Sequence, residues 1–337
     1  MPNIQTTREP QARNYWLRWI LLAVLFFLIA ALALTLGAPV PLSDLWSHDS
    51  TRVGVARAIF GGLRPTRVLA AVLVGAALSV SGASLQAVFR NALAEPYLLG
   101  ISAGGALGAT LGLAFSNTLA FDLAPILAFI GALGATAIVY VLGQKGGGAV
   151  LDRSHLLLCG VALSSFLAAL MALVVSLSNR ADIAQQVMFW MLGGLGNATP
   201  AQNFVLLFAF AMGFIALLGS ARDLNALRLG DGDARALGVD VARVHRRLLV
   251  AAALMSAAAV STAGLIGFVG LLAPHLMRQV FGDDARRLVP AAAIGGATLL
   301  VGCDAIARSI LRPIEIPVGI VTALLGVPLF LFLARRV

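Results

Sequence analysis

An all-α fold, a polytopic transmembrane helical bundle of about ten spans, is what this 337-residue sequence predicts. Three observations carry that expectation. The chain is 60% hydrophobic and only 12% charged, whereas soluble domains carry roughly 25% charged residues. Apolar stretches near the roughly 20 residues needed to cross a bilayer recur along it. Between them, Gly, Pro and charged residues gather in short breaks, the punctuation expected of turns at a membrane surface. The net charge of +9 is spread through those breaks one to three residues at a time. Nucleic acid would call for a basic patch or stripe, so membrane lipid is the expected surroundings and no nucleic-acid partner is expected.

The first span is read at 17–37, LRWILLAVLFFLIAALALTLG. Its flanks suit a secretory signal, but its apolar part exceeds the roughly 7 to 15 residues of a signal core. Apolar runs at 66–88, 98–115, 123–143, 154–177, 201–219, 247–263, 267–281, 288–310 and 314–334 complete the ten. The stretch 187–200, VMFWMLGGLGNATP, is too short and glycine-rich to span. A bend at Gly264, Gly267 and Gly270 divides the seventh helix from the eighth. With the N-terminus inside, 17 of the 24 basic residues fall on the cytoplasmic side, so the bias of Lys and Arg puts both termini in the cytoplasm.

Gly100, Gly104, Gly108 and Gly112 recur at every fourth position and predict a flat packing face on the third helix. Residues 67–82 and 247–264 share a basic start, an Ala/Val/Leu body and a terminal Gly, the outline of an internal repeat. Cys159 and Cys303 lie in apolar runs and match neither a disulfide framework nor a metal-ligand spacing. His275 and His155 are single polar residues on apolar helices, better satisfied by a neighbour than by haem iron, and no metal site is expected. Met171, Met188 and Met191 could line a soft apolar path for a large flat ligand, with core packing as the default. No serine, cysteine or carboxylate arrangement suggests chemistry on a substrate, so no catalytic residue is assigned and the chain is not expected to be an enzyme.

Charge concentrates in LNALRLGDGDARALGVDVARVHRR, residues 224–247, most of it in a long cytoplasmic loop expected at about 220–246. Mixed signs at close spacing make a nearly neutral surface, unlike the basic segments that attract anionic lipid, and this points to a protein partner. Asp231 or Asp233 is placed to cap a short helix and Gly238 to end it, with Ala234 and Leu237 on one face. A P-loop requires Gly-Lys before Ser or Thr. The only lysine, Lys145, stands between Gln144 and Gly146, so any ATP hydrolysis linked to this chain belongs to a separate cytoplasmic protein.

Six segments, in this order, resemble the FecCD family, the permease subunits of binding-protein-dependent ABC importers for iron siderophores, haem and cobalamin. They are LRPTRVLAAVLVGAALSVSGASLQAVFRNALAEPYLLGISAGGALG (63–108), WMLGGLGNA (190–198), LNALRLGDGDARALGV (224–239), GLIGFVGLLAPHLMR (264–278), DAIAR (304–308) and EIPVGIVTALLGVPLFLFLARR (315–336). The resemblance implies a single permease domain over 1–337 in a bacterial inner membrane and a homodimer around a central path. It also implies a soluble binding protein above and two ATPase subunits below. ATP and magnesium would reside on the ATPase, with no cofactor in this chain.

By position, the resemblance implies that Leu229, Gly230, Ala234, Leu237 and Gly238 couple to the ATPase. It implies that Arg64, Arg67 and Arg308 receive acidic residues of the binding protein; Arg312, which has no clear family match, is an added candidate. Residue spacing alone offers another role for Arg308, pairing with Asp304 one helical turn earlier. Asn91, Leu93, Asp152 and Arg153 would narrow the cytoplasmic gate. The sequence departs from the family pattern at Ala92, where a proline is usual, at RPTR, where RLPR is common, and at Asp152 and Arg153, where small hydroxyl residues occur. Haem or a ferric siderophore is the expected cargo, with cobalamin as the alternative. An ion-coupled secondary transporter is the rival reading; it needs an ionisable group in mid-membrane, and Asp304 is its candidate.

Overall fold

The computed structural model describes residues 15–36, 42–47, 49–115, 122–145, 150–151, 153–311 and 314–334. Helix α1 (Tyr15–Thr35) is followed by a 3-10 turn (Leu42–Trp46). Helix α2 (Ser50–Ala58) then runs through a π segment (Ile59–Leu63) into α3 (Arg64–Phe89). A second 3-10 turn (Pro96–Leu99) leads to α4 (Ile101–Phe115), α5 (Ala124–Leu142), α6 (Arg153–Leu177) and α7 (Ile183–Leu192). Next come α8 (Pro200–Gly219), α9 (Ala221–Leu229), α10 (Asp231–Ala236) and α11 (Val241–Ala263). Helices α12 (Val269–Phe281), α13 (Ala285–Ala307) and α14 (Val318–Ala334) close the chain. Strand pairing among the described residues is confined to Gln144–Lys145 against Val150–Leu151.

Each of the ten predicted segments contains a helix. Seven helices among the described residues are long and apolar enough to cross a membrane: α1, the continuous run Ser50–Phe89, α5, α6, α8, α11 and α13. Helices α4, α7 and α14 are apolar but shorter. At 13 residues, α12 spans about 20 Å, short of a full crossing. Two helices start well before the predicted position, and capping explains both. Asp49 accepts from Thr51 N at 2.9 Å, so α2 begins at Ser50 although Arg52 and Arg57 dilute its apolar character. Asp240 accepts from Arg243 N at 3.0 Å. Behind that cap Val241, Val244, His245 and Leu248 are buried while Arg243, Arg246 and Arg247 are exposed, a helical stripe and not a loop.

The centre of the bundle is α3, packed against α13, α11, α12 and α8. Its apolar stretch is 89% buried, whereas that of α6 is 6% buried. Small residues make this possible. A Cβ on Gly75 or on Gly296 would overlap the other's backbone carbonyl, so α3 and α13 meet backbone to backbone. Ser79 donates to Ala292 O at 2.6 Å, and Ser81 and Ser84 donate to Ala252 O and Leu248 O. These hydroxyls tie α3 to α13 and α11.

The glycine face predicted on α4 consists of Gly104, Gly108 and Gly112, which lie against the backbone of α5 at Gly131, Leu127 and Ala124. Gly100 extends this face by one turn, towards Ala135 and Val139 of α5, at ordinary contact distance and without the backbone overlap of the other three. It precedes the helix with φ of 78°, where its role is to turn the chain after the 3-10 turn. The predicted bend is a break: α11 stops at Gly264 and α12 resumes at Val269, with Phe268 in the left-handed region at φ 68°. Glu95 accepts from Phe268 N at 2.8 Å, and the Tyr97 hydroxyl both donates to Ile266 O and accepts from Ile266 N. The 91–97 turn therefore holds the break in place.

Candidate functional site

The helix α3, 26 residues and about 39 Å long, separates two polar ends of the molecule. At its C-terminal end α9 and α10 form a knob. Gly230 (φ 132°) and Gly238 (φ 83°) turn the chain on either side of α10. Leu229 and Leu237 project with 63% and 65% of their surface exposed, whereas Ala234 is completely buried. The expected shared face of Ala234 and Leu237 is therefore corrected. Over only six residues α10 turns a single position inward, and Leu237, lying past its last turn, points out. Gly230, not Asp231 or Asp233, occupies the N-cap position.

Polar bonds fasten this knob. Asn225 Nδ2 donates to Asp284 Oδ1 at 2.8 Å, and Asn225 Oδ1 accepts from Ala285 N at 2.8 Å. The bond from Asn225 holds the Asp284 carboxyl below the usual carboxylate range. Arg228 pairs with Asp283 at 2.9 Å, Arg278 pairs with the same carboxylate at 3.1 Å, and Arg278 also donates to Gln86 Oε1 at 3.0 Å. Arg228, Arg278, Asp283 and Gln86 line a cavity of about 350 Å³ beside the C-terminal end of α3.

At the opposite end sits a cluster of four charges that spacing alone does not reveal. Arg67 holds Asp304 through Nε at 3.1 Å and one terminal nitrogen at 3.0 Å, and gives its other terminal nitrogen to Glu315 at 2.7 Å. Arg308 Nε lies 3.2 Å from Asp304 without hydrogen-bond alignment. The turn-to-turn pairing of Asp304 with Arg308 is thus present, but Arg67 makes the better bonds. Beside the cluster a cavity of about 650 Å³ is lined by Arg67, Glu315, Asp122, Asp182, Trp190 and Thr262, among others.

Arg64 and Arg308 do not present free cations here. They are 5% and 4% exposed and point at the C-terminal end of α1, where they donate to Leu34 O, Thr35 O, Leu36 O and Ala33 O. A helix end carries four carbonyls without intrahelical partners and a partial negative charge, and these two guanidiniums answer both. Of the three arginines expected to face outward, Arg67 alone reaches a cavity, with 16% of its side chain exposed.

The model of the FecCD transport family matches residues 21–336. The chain belongs to that family. It is 40% identical to the hemin transport system permease protein HmuU of Yersinia pestis, over 94% of this chain and 96% of that one. It is 41% identical to the cobalamin import system permease protein BtuC of Halobacterium salinarum, over 89% and 80%. Among solved structures, an inward-facing conformation of a metal-chelate type ABC transporter superposes with a TM-score of 0.83 at 30% identity, covering 96% of this chain and 100% of that one.

Other predicted positions of this FecCD chain fall as follows. Asn91 and Leu93 are exposed in the turn after α3, where Asn91 Oδ1 accepts from Leu93 N at 2.9 Å. Asp152, the side chain of Arg153 and Arg312 lie outside the described residues. Met188 and Met191 are exposed on α7, not packed in a core as expected, because that helix packs through Ile183 and Val187. His275 is satisfied by Gln279 one turn on, at 3.1 Å. Cys303 is buried and Cys159 half-buried, both unbridged. Sequence reasoning missed the Asn225–Asp284 and Arg67–Glu315 contacts and the grip of Glu95 on the helix break. An Asn in the knob motif and a Glu in the AEPY motif were the available signals.

Proposed function

We propose that this FecCD chain is the membrane-spanning permease of an ABC importer that carries a bulky metal chelate into a bacterial cell across the inner membrane. The observation that carries the reading is the exposed pair Leu229 and Leu237 on the α9–α10 knob. Two large apolar side chains among charged neighbours, at the end of a bundle whose charge bias marks that side as cytoplasmic, favour burial in a protein cleft. That cleft belongs to a separate ATPase, which holds the ATP and magnesium.

The cargo class spans haem, ferric hydroxamates and cobalamin, because permeases named for hemin, iron(3+)-hydroxamate and cobalamin are 40%, 36% and 41% identical to this chain. A second copy completes the path: the nearly bare surface of α6 supports a homodimer. On the outer side a binding protein meets the mouth of the 650 Å³ cavity, where one of its acidic side chains would exchange with the half-exposed Glu315 for Arg67. A secondary transporter is disfavoured, since Asp304 is 1% exposed and its charge is already answered by Arg67 and Arg308.

Reconstitution tests the proposal. Proteoliposomes holding this chain with its ATPase, given binding protein loaded in turn with haem, a ferric hydroxamate and cobalamin, take up one of them only when ATP is supplied. Accumulation driven by an ion gradient in liposomes holding this chain alone overturns it.

A further inference from the structure

Leu229 and Leu237 account for a docking surface, but a push on them must still reach the spans. The polar bonds of α9 provide the route. Asn225 uses both ends of its amide: Nδ2 donates to Asp284 Oδ1 and Oδ1 accepts from Ala285 N, each at 2.8 Å. Asp284 is the N-cap of α13, accepting from Arg286 N at 3.0 Å. The knob is therefore bolted to the first turn of α13 through a pair of bonds whose geometry fixes both translation and orientation. Arg228 adds an ion pair to Asp283 just before that turn.

What α13 carries at its other end gives the bolt its meaning. The helix is 23 residues, about 34 Å, and it ends with Asp304, held by Arg67, and Arg308, which grips α1. Gly75 and Gly296 let it lie directly on α3. One helix thus joins the knob to the charge cluster at the mouth of the outer cavity.

We infer that the Asn225–Asp284 pair is a latch that transmits movement of the α9–α10 knob to α13, and through it to the outer end of the permease. Asn225 and Asp284 are positioning residues; neither touches cargo or nucleotide. The inference rests on the reading of the knob as the ATPase contact.

The chemistry of the pair supplies its own test. Asn225→Asp places two carboxylates against each other, replacing attraction with repulsion. The exchanged pair, Asn225→Asp with Asp284→Asn, restores the bond between the two positions with its direction reversed, and Ala285 N keeps its acceptor; because Asp284 Oδ1 serves both Asn225 and Arg286 N, the swap gives up only the capping bond to Arg286 N. In proteoliposomes with the ATPase and binding protein, Asn225→Asp retains the ATPase and hydrolyses ATP within about twofold of the unmodified complex. ATP-driven uptake of haem, a ferric hydroxamate or cobalamin, offered in parallel, falls about tenfold or more, in the range of an ordinary coupling energy. The exchanged pair recovers uptake to within about twofold, and it decides the matter where the single variant fails to accumulate.

Unchanged uptake in Asn225→Asp, or an exchanged pair that folds but stays inactive, overturns the latch. Loss of the ATPase from Asn225→Asp also overturns it, since the pair would then act on docking. Failure of the knob reading looks different: Leu237→Asp would keep the ATPase bound.

Discussion

Arg64 and Arg308 divide the last four backbone carbonyls at the end of α1 between them, Arg64 taking Leu34 and Thr35 and Arg308 taking Ala33 and Leu36. The two donors come from α3 and α13, so a helix whose apolar stretch is only 11% buried is stapled to the centre of the bundle by charge-assisted bonds.

Replacing either arginine by methionine keeps the bulk and strips two carbonyls of their donors. At about 1–3 kcal/mol for each buried group left unpaired, discounted for partial hydration, a loss of about 2–4 kcal/mol is expected. Thermal unfolding of the detergent-purified chain followed by intrinsic fluorescence reads it. The double variant should fall short of the sum of the singles, because both act on one helix end. An unaltered midpoint in both would mean that the arginines are held for an outer partner and not for α1.

Asp304 is the single carboxylate shared by Arg67 and Arg308, and it is buried. Breaking a buried ion pair from one side costs about 3–5 kcal/mol, so Asp304→Asn should lower stability sharply. Glu315 meets the same Arg67 but is 51% exposed, and Glu315→Gln should cost less than about 1 kcal/mol. Denaturant titration of the two variants side by side measures the contrast. Equal losses would show that the buried contact has no special weight.

On the knob, Leu237→Asp adds a charge to a side chain that is already 65% exposed, so insertion and folding should be unaffected. Co-purification of the ATPase and transport-coupled ATP hydrolysis should both be lost. A fully coupled complex carrying this substitution would remove the main support for the ATPase contact.

The face of α4 offers a test of packing. A Cβ at Gly104 would run into the backbone of Gly131, whereas Gly134 on α5 has nothing within 4 Å. Gly104→Val should therefore cost about 3 kcal/mol or more, at the upper end of overpacking, and Gly134→Val almost nothing. The yield of monodisperse protein on size exclusion compares them.

Much of this protein was legible without coordinates. The ten helical segments follow from runs of apolar side chains, and the packing of Gly104, Gly108 and Gly112 follows from their spacing. The turn at Gly238 follows from its place after a short charged helix. Each of these is local, settled by the transfer of about 20 neighbouring residues into lipid or by one backbone torsion. The early starts of α2 and α11 escaped notice because an amphipathic first turn has the composition of a loop.

The partnerships of the charges belong to the tertiary structure. Arg67 meets Asp304 across 237 positions and Glu315 across 248, and Arg308 reaches back 275 positions to Ala33. Asn225 meets Asp284 across 59. No local pattern specifies such pairs, because they form only where packed helices bring distant residues within hydrogen-bonding range. Hydrophobicity determined which segments enter the membrane; the close approach of α1, α3 and α13 decided that two arginines expected to await a partner are instead bonded to the chain's own first helix.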